Sequence, residues 1–108
     1  YKCQLQALIE QSAHTLAIDY QGSIDELHLI DDYIGQGYGV VGELEREAIA
    51  LCAQYEGILL DPVYTGRAMG GLIDMIRRKQ FSADSNVLFW HTGGAPAVFA
   101  YASALQNV

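Results

Sequence analysis

Three short stretches of the sequence combine tyrosine, threonine and glycine residues in the way that small-molecule sites do. They run from Asp31 to Gly39, from Asp61 to Gly66 and from His91 to Gly94. Each follows a short apolar segment that is suited to a buried strand. Ligands of open α/β sheets bind beyond the carboxyl ends of the strands. The sequence therefore predicts a small-molecule pocket formed by these three loops.

Helical and apolar patterns alternate along the chain and surround these loops. Four segments have the apolar spacing of an amphipathic helix: up to about Asp19, from about Glu43 to Tyr55, after Gly66 with Met69 to Ile76 as its apolar stripe, and from about Ala95. Three short apolar segments fit buried strands: Leu27–Ile30, Ile58–Leu60 and Asn86–Trp90. This order is typical of an α/β fold in which parallel strands are layered with helices. Because three short strands make a poor sheet, we expect further strands from a longer chain.

Two adjacent glycines, Gly70 and Gly71, lie inside the third predicted helix. Each costs about 1 kcal/mol of helix stability relative to alanine. Their presence therefore predicts that another backbone packs closely against this helix.

The composition limits the classes of partner. There are 6 basic and 13 acidic residues, giving a net charge of −7, which disfavours nucleic acid and anionic membranes. No apolar run approaches the roughly 20 residues that span a bilayer, so we expect a cytoplasmic protein. Cys3 and Cys52 have no Cys or His neighbours at metal-binding spacing. We expect neither a metal site nor a disulfide, and we interpret both cysteines as small buried hydrophobic residues.

Three motifs carry a family resemblance: Asp31–Val40, Glu56–Met69 and His91–Ala97. The middle motif, with Asp-Pro-Val-Tyr-Thr-Gly at its centre, is the most specific. From about Leu27 to Tyr101 the chain resembles the D-cysteine desulfhydrase and 1-aminocyclopropane-1-carboxylate deaminase family, whose members use pyridoxal 5'-phosphate. The resemblance implies a tryptophan-synthase-β-like fold and, in the complete enzyme, a homodimer.

Within that fold, residues 1–108 would form the C-terminal portion of one pyridoxal-phosphate-binding domain. The chain begins at Tyr1 without Met and inside an apparent helical pattern, so we expect an upstream part that is absent here. The resemblance places the Schiff-base lysine and the phosphate-binding loop in that upstream part. Lys2 and Lys79 match neither motif and are expected to be solvated surface residues.

The resemblance also implies two catalytic tyrosines. Tyr64 matches the tyrosine beside the cofactor ring, which acts near the substrate amino group, and Tyr38 matches a second active-site tyrosine of the deaminases. A phenol titrates near pH ~10, so Tyr64 would need a positive field or a neighbouring donor to act as a base. The alternatives are a core tyrosine at position 64 and a loop tyrosine packed for shape at position 38.

Three further residues match positions that bind the cofactor, namely Thr65, Thr92 and Gly93. The deaminases carry Glu at the position of Thr65, where it faces the pyridine nitrogen, and Leu at the position of Thr92. A threonine makes only a neutral hydrogen bond and leaves the ring a weaker electron sink, which suffices for β-elimination. Thr65 has the alternative role of capping the third helix. Gly93 and Gly94 would let the backbone pass close to the cofactor.

These positions favour a pyridoxal-phosphate lyase that releases sulfide, ammonia and pyruvate from D-cysteine or a related β-substituted alanine. The alternatives are a 1-aminocyclopropane-1-carboxylate deaminase, a cysteate sulfo-lyase and, in another class, a non-catalytic stand-alone module. The handedness of the amino-acid substrate stays open, because the residues that bind its carboxylate are expected upstream.

Overall fold

Helices account for all regular secondary structure in the computed structural model, which describes residues 1–106. The chain divides into two units, Tyr1–Asp31 and Asp32–Val108. None of the helices in the described part is long and apolar enough to cross a membrane.

The first unit contains helix α1, Lys2–Thr15, and a short 3-10 turn at Ile24–Glu26. The helix ends earlier than predicted, and Ala17 beyond it has a φ of +53°. No residue of α1 is buried, and Cys3 is exposed, so the prediction that Cys3 is buried was wrong. The apolar stripe of α1 is therefore at most half-buried within its own unit.

The second unit is built on helices α2, Glu43–Glu56, and α3, Thr65–Arg77, which pack against each other. Gly57 ends α2 as predicted, in the left-handed conformation with a φ of +65°. The single last helix predicted from Ala95 is instead two short helices, α4 at Ala97–Ala100 and α5 at Ala102–Leu105.

Both glycines of α3 lie in close packing contacts, against a neighbouring backbone at Gly70, as predicted, and against a side chain at Gly71. A Cβ atom on Gly70 would lie 2.2 Å from the Leu44 side chain and 3.0 Å from the Leu44 carbonyl oxygen. A Cβ on Gly71 would lie 2.9 Å from the ring of Tyr33. The missing side chains allow α2 and the segment before it to approach α3.

A small core lies beneath these helices. Its buried members are Ile49, Cys52 and Leu60, and the half-buried side chains of Met69, Phe89 and Leu105 pack against them. The prediction that Cys52 is a buried hydrophobic residue is confirmed, and burial raises the pKa of its thiol.

The three predicted strands, at residues 27–30, 58–60 and 86–90, do not form within residues 1–106. A strand is stabilised by hydrogen bonds to the backbone of a neighbouring strand. None of these segments makes such a ladder with another part of the described chain. The three strand predictions and the parallel layering inferred from them are therefore not confirmed within the described residues.

Candidate functional site

The two tyrosines that match catalytic positions meet in the folded chain. Tyr38 and Tyr64 lie 26 positions apart, and their hydroxyl groups are joined by a short hydrogen bond. Their rings meet edge to face, with centroids 5.9 Å apart and an interplanar angle of 66°. Both side chains are exposed, Tyr38 at 78% and Tyr64 at 60%. Tyr64 is therefore not a core residue within the described part of the chain.

The pairing changes the acidity of one phenol. Hydrogen bonding to Tyr64 raises the pKa of Tyr38, and the negative charge of Asp61 acts in the same direction. Tyr38 therefore keeps its proton at neutral pH, and either hydroxyl can be the donor in the hydrogen bond that joins the pair.

The start of α3 is organised by Asp61, which is 1% exposed. Its carboxylate accepts hydrogen bonds from the backbone amides of Val63 at 2.8 Å, Tyr64 at 2.7 Å and Thr65 at 2.8 Å. Burial alone would raise the pKa of Asp61, but these hydrogen bonds stabilise the anion and the pKa is lowered. The carboxylate thus stays charged and fixes the backbone that carries Tyr64.

Thr65 is almost completely buried, at 2% exposure, and its hydroxyl is engaged with Asp61. The hydroxyl donates to Asp61 Oδ1 at 2.7 Å and accepts from the Asp61 amide at 2.9 Å. It does not cap α3, because α3 begins at Thr65 itself and the helix amides are bound by Asp61. One lone pair of the hydroxyl remains for another contact, so the cofactor-binding role of Thr65 stays a prediction.

Two contacts hold the third loop, residues 91–94, beside the second loop, residues 61–66. His91 Nδ1 accepts a hydrogen bond from the Gly93 amide at 2.9 Å, so the proton of the neutral ring lies on Nε2, 3.1 Å from the Leu59 carbonyl oxygen. Gly94, with a φ of +91°, lies against Asp61, since an added Cβ would be 3.0 Å from the carboxylate side chain. The loops at residues 61–66 and 91–94 therefore meet at Asp61.

Thr92 and Gly93 lie in the third loop where few other atoms are close to them. Thr92 is exposed. Gly93 has a φ of +99°, and a Cβ built on it would meet no atom within 4 Å. Space is therefore open beside the α-carbon of Gly93, and the cofactor-binding roles of Thr92 and Gly93 stay predictions.

Sequence reasoning missed the central role of Asp61, which it treated only as the first residue of a loop. The signal was present in the Asp that stands four positions before the first residue of the helix, because Asp side chains commonly bind nearby backbone amides. In the described part of the chain, no group of three His, Cys, Asp or Glu side chains is arranged to hold a metal ion.

Comparison with known families and proteins adds to this geometry. A family model described as "Pyridoxal-phosphate dependent enzyme" matches residues 3–93. D-cysteine desulfhydrases from Salmonella newport (strain SL254) and Salmonella heidelberg (strain SL476) are each 53% identical to the chain over 96 residues, which is 89% of this chain.

A solved structure described as an ACC deaminase homologue superposes with a TM-score of 0.75 at 32% identity. That match covers 97% of this chain and 30% of the homologue. The chain spans about a quarter, 27%, of the length of the curated relatives that it matches.

Proposed function

Because the chain belongs to the pyridoxal-phosphate dependent enzyme family, we propose that it forms part of a lyase that catalyses β-elimination on D-cysteine or a related β-substituted alanine. With D-cysteine, the C–S bond breaks, one water is consumed, and the products are hydrogen sulfide, ammonia and pyruvate. The observation that carries the proposal is the hydrogen bond between the Tyr38 and Tyr64 hydroxyls. The 53% identity to D-cysteine desulfhydrases supports the choice of substrate.

The residues of the second unit fit one side of a cofactor site. Two exposed phenols, the exposed Thr92 and the open backbone of Gly93 are suited to a flat heterocycle that carries an amino acid. The covalent lysine is not among them. Lys79 follows the C-terminal end of α3 while Tyr64 precedes its start, about 20 Å away along a helix of this length. That lysine must come from another part of the complete protein.

When bound, pyridoxal phosphate supplies an electron sink that stabilises negative charge at the α-carbon of an amino acid. In the proposed reaction, the Tyr64 hydroxyl gives or takes a proton at the substrate amino group. Tyr38 keeps its own proton, and the hydrogen bond between its hydroxyl and that of Tyr64 holds the oxygen of Tyr64 in one orientation. The pair thus acts as a fixed polar surface beside the reacting amino acid.

Thr65 supports β-elimination over opening of a cyclopropane ring. In our proposal it faces the pyridine nitrogen with a neutral hydroxyl, whereas a carboxylate would hold a proton on that nitrogen. A neutral partner leaves the electron sink weaker, and a good leaving group at Cβ compensates for that weakness.

A deaminase acting on 1-aminocyclopropane-1-carboxylate is the second candidate, and the structural similarity to the ACC deaminase homologue favours it. The two functions differ in products, since the deaminase releases 2-oxobutyrate and ammonia without sulfide. The family resemblance further suggests a homodimer, a cytoplasmic location and a parallel sheet in the complete protein. Size-exclusion chromatography with light scattering would test the dimer.

The deciding experiment is a product assay on the complete protein saturated with pyridoxal phosphate. Separate reactions contain D-cysteine, L-cysteine and 1-aminocyclopropane-1-carboxylate, and sulfide, pyruvate and 2-oxobutyrate are quantified. Sulfide and pyruvate in equal amounts from D-cysteine support the lyase. 2-Oxobutyrate from the cyclopropane without sulfide from either cysteine would replace it with the deaminase, and no product from any substrate would refute both.

A further inference from the structure

The side chain of Arg67 holds the glycine-rich loop that carries Tyr38. Its Nη1 donates to the carbonyl oxygens of Ile34 at 2.6 Å and Gly37 at 3.1 Å, and its Nη2 donates to that of Val40 at 2.8 Å. Its Nε donates to Glu45 Oε1 at 2.6 Å. A single guanidinium therefore binds the loop at three points, before and after Tyr38, and ties it to α2.

Glu45 completes this arrangement from the other side. It is 3% exposed, and its second carboxylate oxygen accepts the amide of Gly42 at 2.7 Å at the start of α2. Burial by itself would raise the pKa of Glu45, but the Arg67 guanidinium and the Gly42 amide hold it lowered. The ion pair is therefore charged at neutral pH.

The loop needs support from outside because its own glycine residues do little to fix its conformation. Gly35, Gly37 and Gly39 have φ values of +65°, +123° and +73°, and glycine loses more conformational freedom on ordering than any other residue. Gly35 also provides room for the guanidinium, since an added Cβ would lie 3.2 Å from Arg67 Nη2.

Arg67 lies on α3, three positions after Tyr64. The same short segment thus positions one tyrosine through its backbone and the other through the Arg67 side chain. We propose that Arg67 is a positioning residue, which keeps the Tyr38 hydroxyl on that of Tyr64 by fixing the carbonyl groups of the loop around it. Its catalytic consequence rests on the proposed function, whereas its effect on Tyr38 does not.

Lysine cannot replace arginine in this role. The guanidinium is planar and directs its N–H groups along separate lines, which is why it can reach three carbonyl oxygens and a carboxylate together. A lysine ammonium group donates all of its hydrogen bonds from a single nitrogen. Arg67→Lys would therefore preserve the ion pair with Glu45 and release most of the loop.

The chain offers a matched control in the ion pair between Arg77 and Glu47. Arg77 also lies on α3 and pairs with α2, with Nη1 at 2.9 Å and Nη2 at 2.7 Å from the Glu47 oxygens. It makes no hydrogen bond to the loop. Arg77→Lys therefore tests the general effect of changing an α2–α3 ion pair.

The test uses the complete protein with tyrosine labelled by ¹³C at ring Cζ, and follows the phenol resonances over alkaline pH without added cofactor. Tyr38→Phe assigns the resonance of Tyr38. In Arg67→Met and in Arg67→Lys we expect the titration midpoint of Tyr38 to fall toward that of an isolated phenol, near ~10. In Arg77→Lys it should stay at the wild-type position. If Arg67→Met does not fold, Arg67→Lys decides the question. An unchanged Tyr38 midpoint in the folded Arg67 variants would overturn the proposal.

A kinetic double-mutant cycle separates positioning from general structural support. We expect Arg67→Lys to lower kcat with D-cysteine by up to about 10-fold, which is no more than the loss expected when the Tyr38 hydroxyl itself is removed. Added to Tyr38→Phe, the same change should lower kcat by less than about 2-fold, because the group it positions is gone. Full additivity of the two losses would refute action through Tyr38. If the protein does not convert D-cysteine at all, the proposed function fails, and the resonance of Tyr38 still decides the role of Arg67.

Discussion

The Asp61 carboxylate and the Thr65 hydroxyl hold each other in a reciprocal contact. Thr65 Oγ1 donates to Asp61 Oδ1 at 2.7 Å and accepts from the Asp61 amide at 2.9 Å. Both residues are at most 2% exposed, so water cannot replace either bond. This contact closes the turn that leads into α3 and places Tyr64 at its edge.

Removing the Thr65 hydroxyl should therefore destabilise the protein. Thr65→Val preserves the shape but leaves the amide of Asp61 and one carboxylate lone pair without a partner, at an expected loss of about 1–3 kcal/mol. Urea unfolding of the complete protein measures this loss. Thr65→Ser keeps the hydroxyl and is the control, with an expected loss of less than half that of the valine variant. Equal losses in the two variants would mean that the hydroxyl contributes nothing.

The lowered pKa values of Asp61 and Glu45 predict how stability depends on pH. Both carboxyl groups bind protons more weakly in the folded chain than in the unfolded chain. At a pH between the lowered pKa of the folded chain and the ordinary pKa of the unfolded chain, the unfolded state therefore carries more protons. Their contribution is fully present above the ordinary values, near pH ~4, and is lost as the pH falls through the lowered ones. Melting temperatures measured from neutral to acid pH should fall accordingly.

Asp61→Asn provides the check on that assignment. It removes one of the two titrating groups, so its melting temperature should fall less steeply over the acid range than that of the wild type. Asp84→Asn, at an exposed position, should reproduce the wild-type slope. If Asp61→Asn and the wild type show the same slope, Asp61 is not one of the groups that cause acid unfolding.

The sequence predicted the helices better than the strands, and the reason is physical. Helices α2 and α3 close their hydrogen bonds within the segment, so the apolar spacing around Leu51 or Ile73 is enough to indicate them. The apolar segments at 58–60 and 86–90 require a partner backbone, and local sequence carries no information on whether one is present. The helix from Ala95 was predicted without its break at Tyr101, where the backbone leaves the helical conformation.

The candidate site likewise has features that the local sequence predicted and features that it did not. Motif spacing indicated the loops that carry Tyr38, Tyr64 and Gly93, and a family resemblance implied that both tyrosines belong to the active site, but neither predicted the hydrogen bond between the two phenols. The hydrogen bonds of Arg67 connect residues 27 to 33 positions apart, and no local pattern predicts such contacts.

Packing between the second and third loops predicts different effects for two neighbouring glycines. Gly93 and Gly94 both have positive φ values, +99° and +91°, so alanine at either position costs about 1–3 kcal/mol in backbone strain. Gly94→Ala also places a methyl group 3.0 Å from the Asp61 side chain, whereas Gly93→Ala meets no atom within 4 Å. Gly94→Ala should therefore be the less stable variant in urea unfolding. A greater loss for Gly93→Ala would contradict the contact between Gly94 and Asp61.

The paired phenols predict an order of kinetic effects. Tyr64→Phe removes the hydroxyl proposed to exchange a proton with the substrate and should lower kcat with D-cysteine by about 10²- to 10⁴-fold. Tyr38→Phe leaves that hydroxyl in place but removes its hydrogen-bonded neighbour, so its loss should be smaller, about 10-fold. Steady-state release of pyruvate gives both values.

Tyr55→Phe is the control for the loss of an exposed tyrosine hydroxyl. Tyr55 is 70% exposed on α2 and makes no hydrogen bond through its side chain to Tyr38 or Tyr64, so its kcat and KM should match the wild type. If Tyr38→Phe lowers kcat as much as Tyr64→Phe, the proton exchange belongs to the pair and not to Tyr64 alone. If Tyr64→Phe retains wild-type kcat while Tyr38→Phe does not, the two roles must be exchanged, since the structure brings both hydroxyls to the same point.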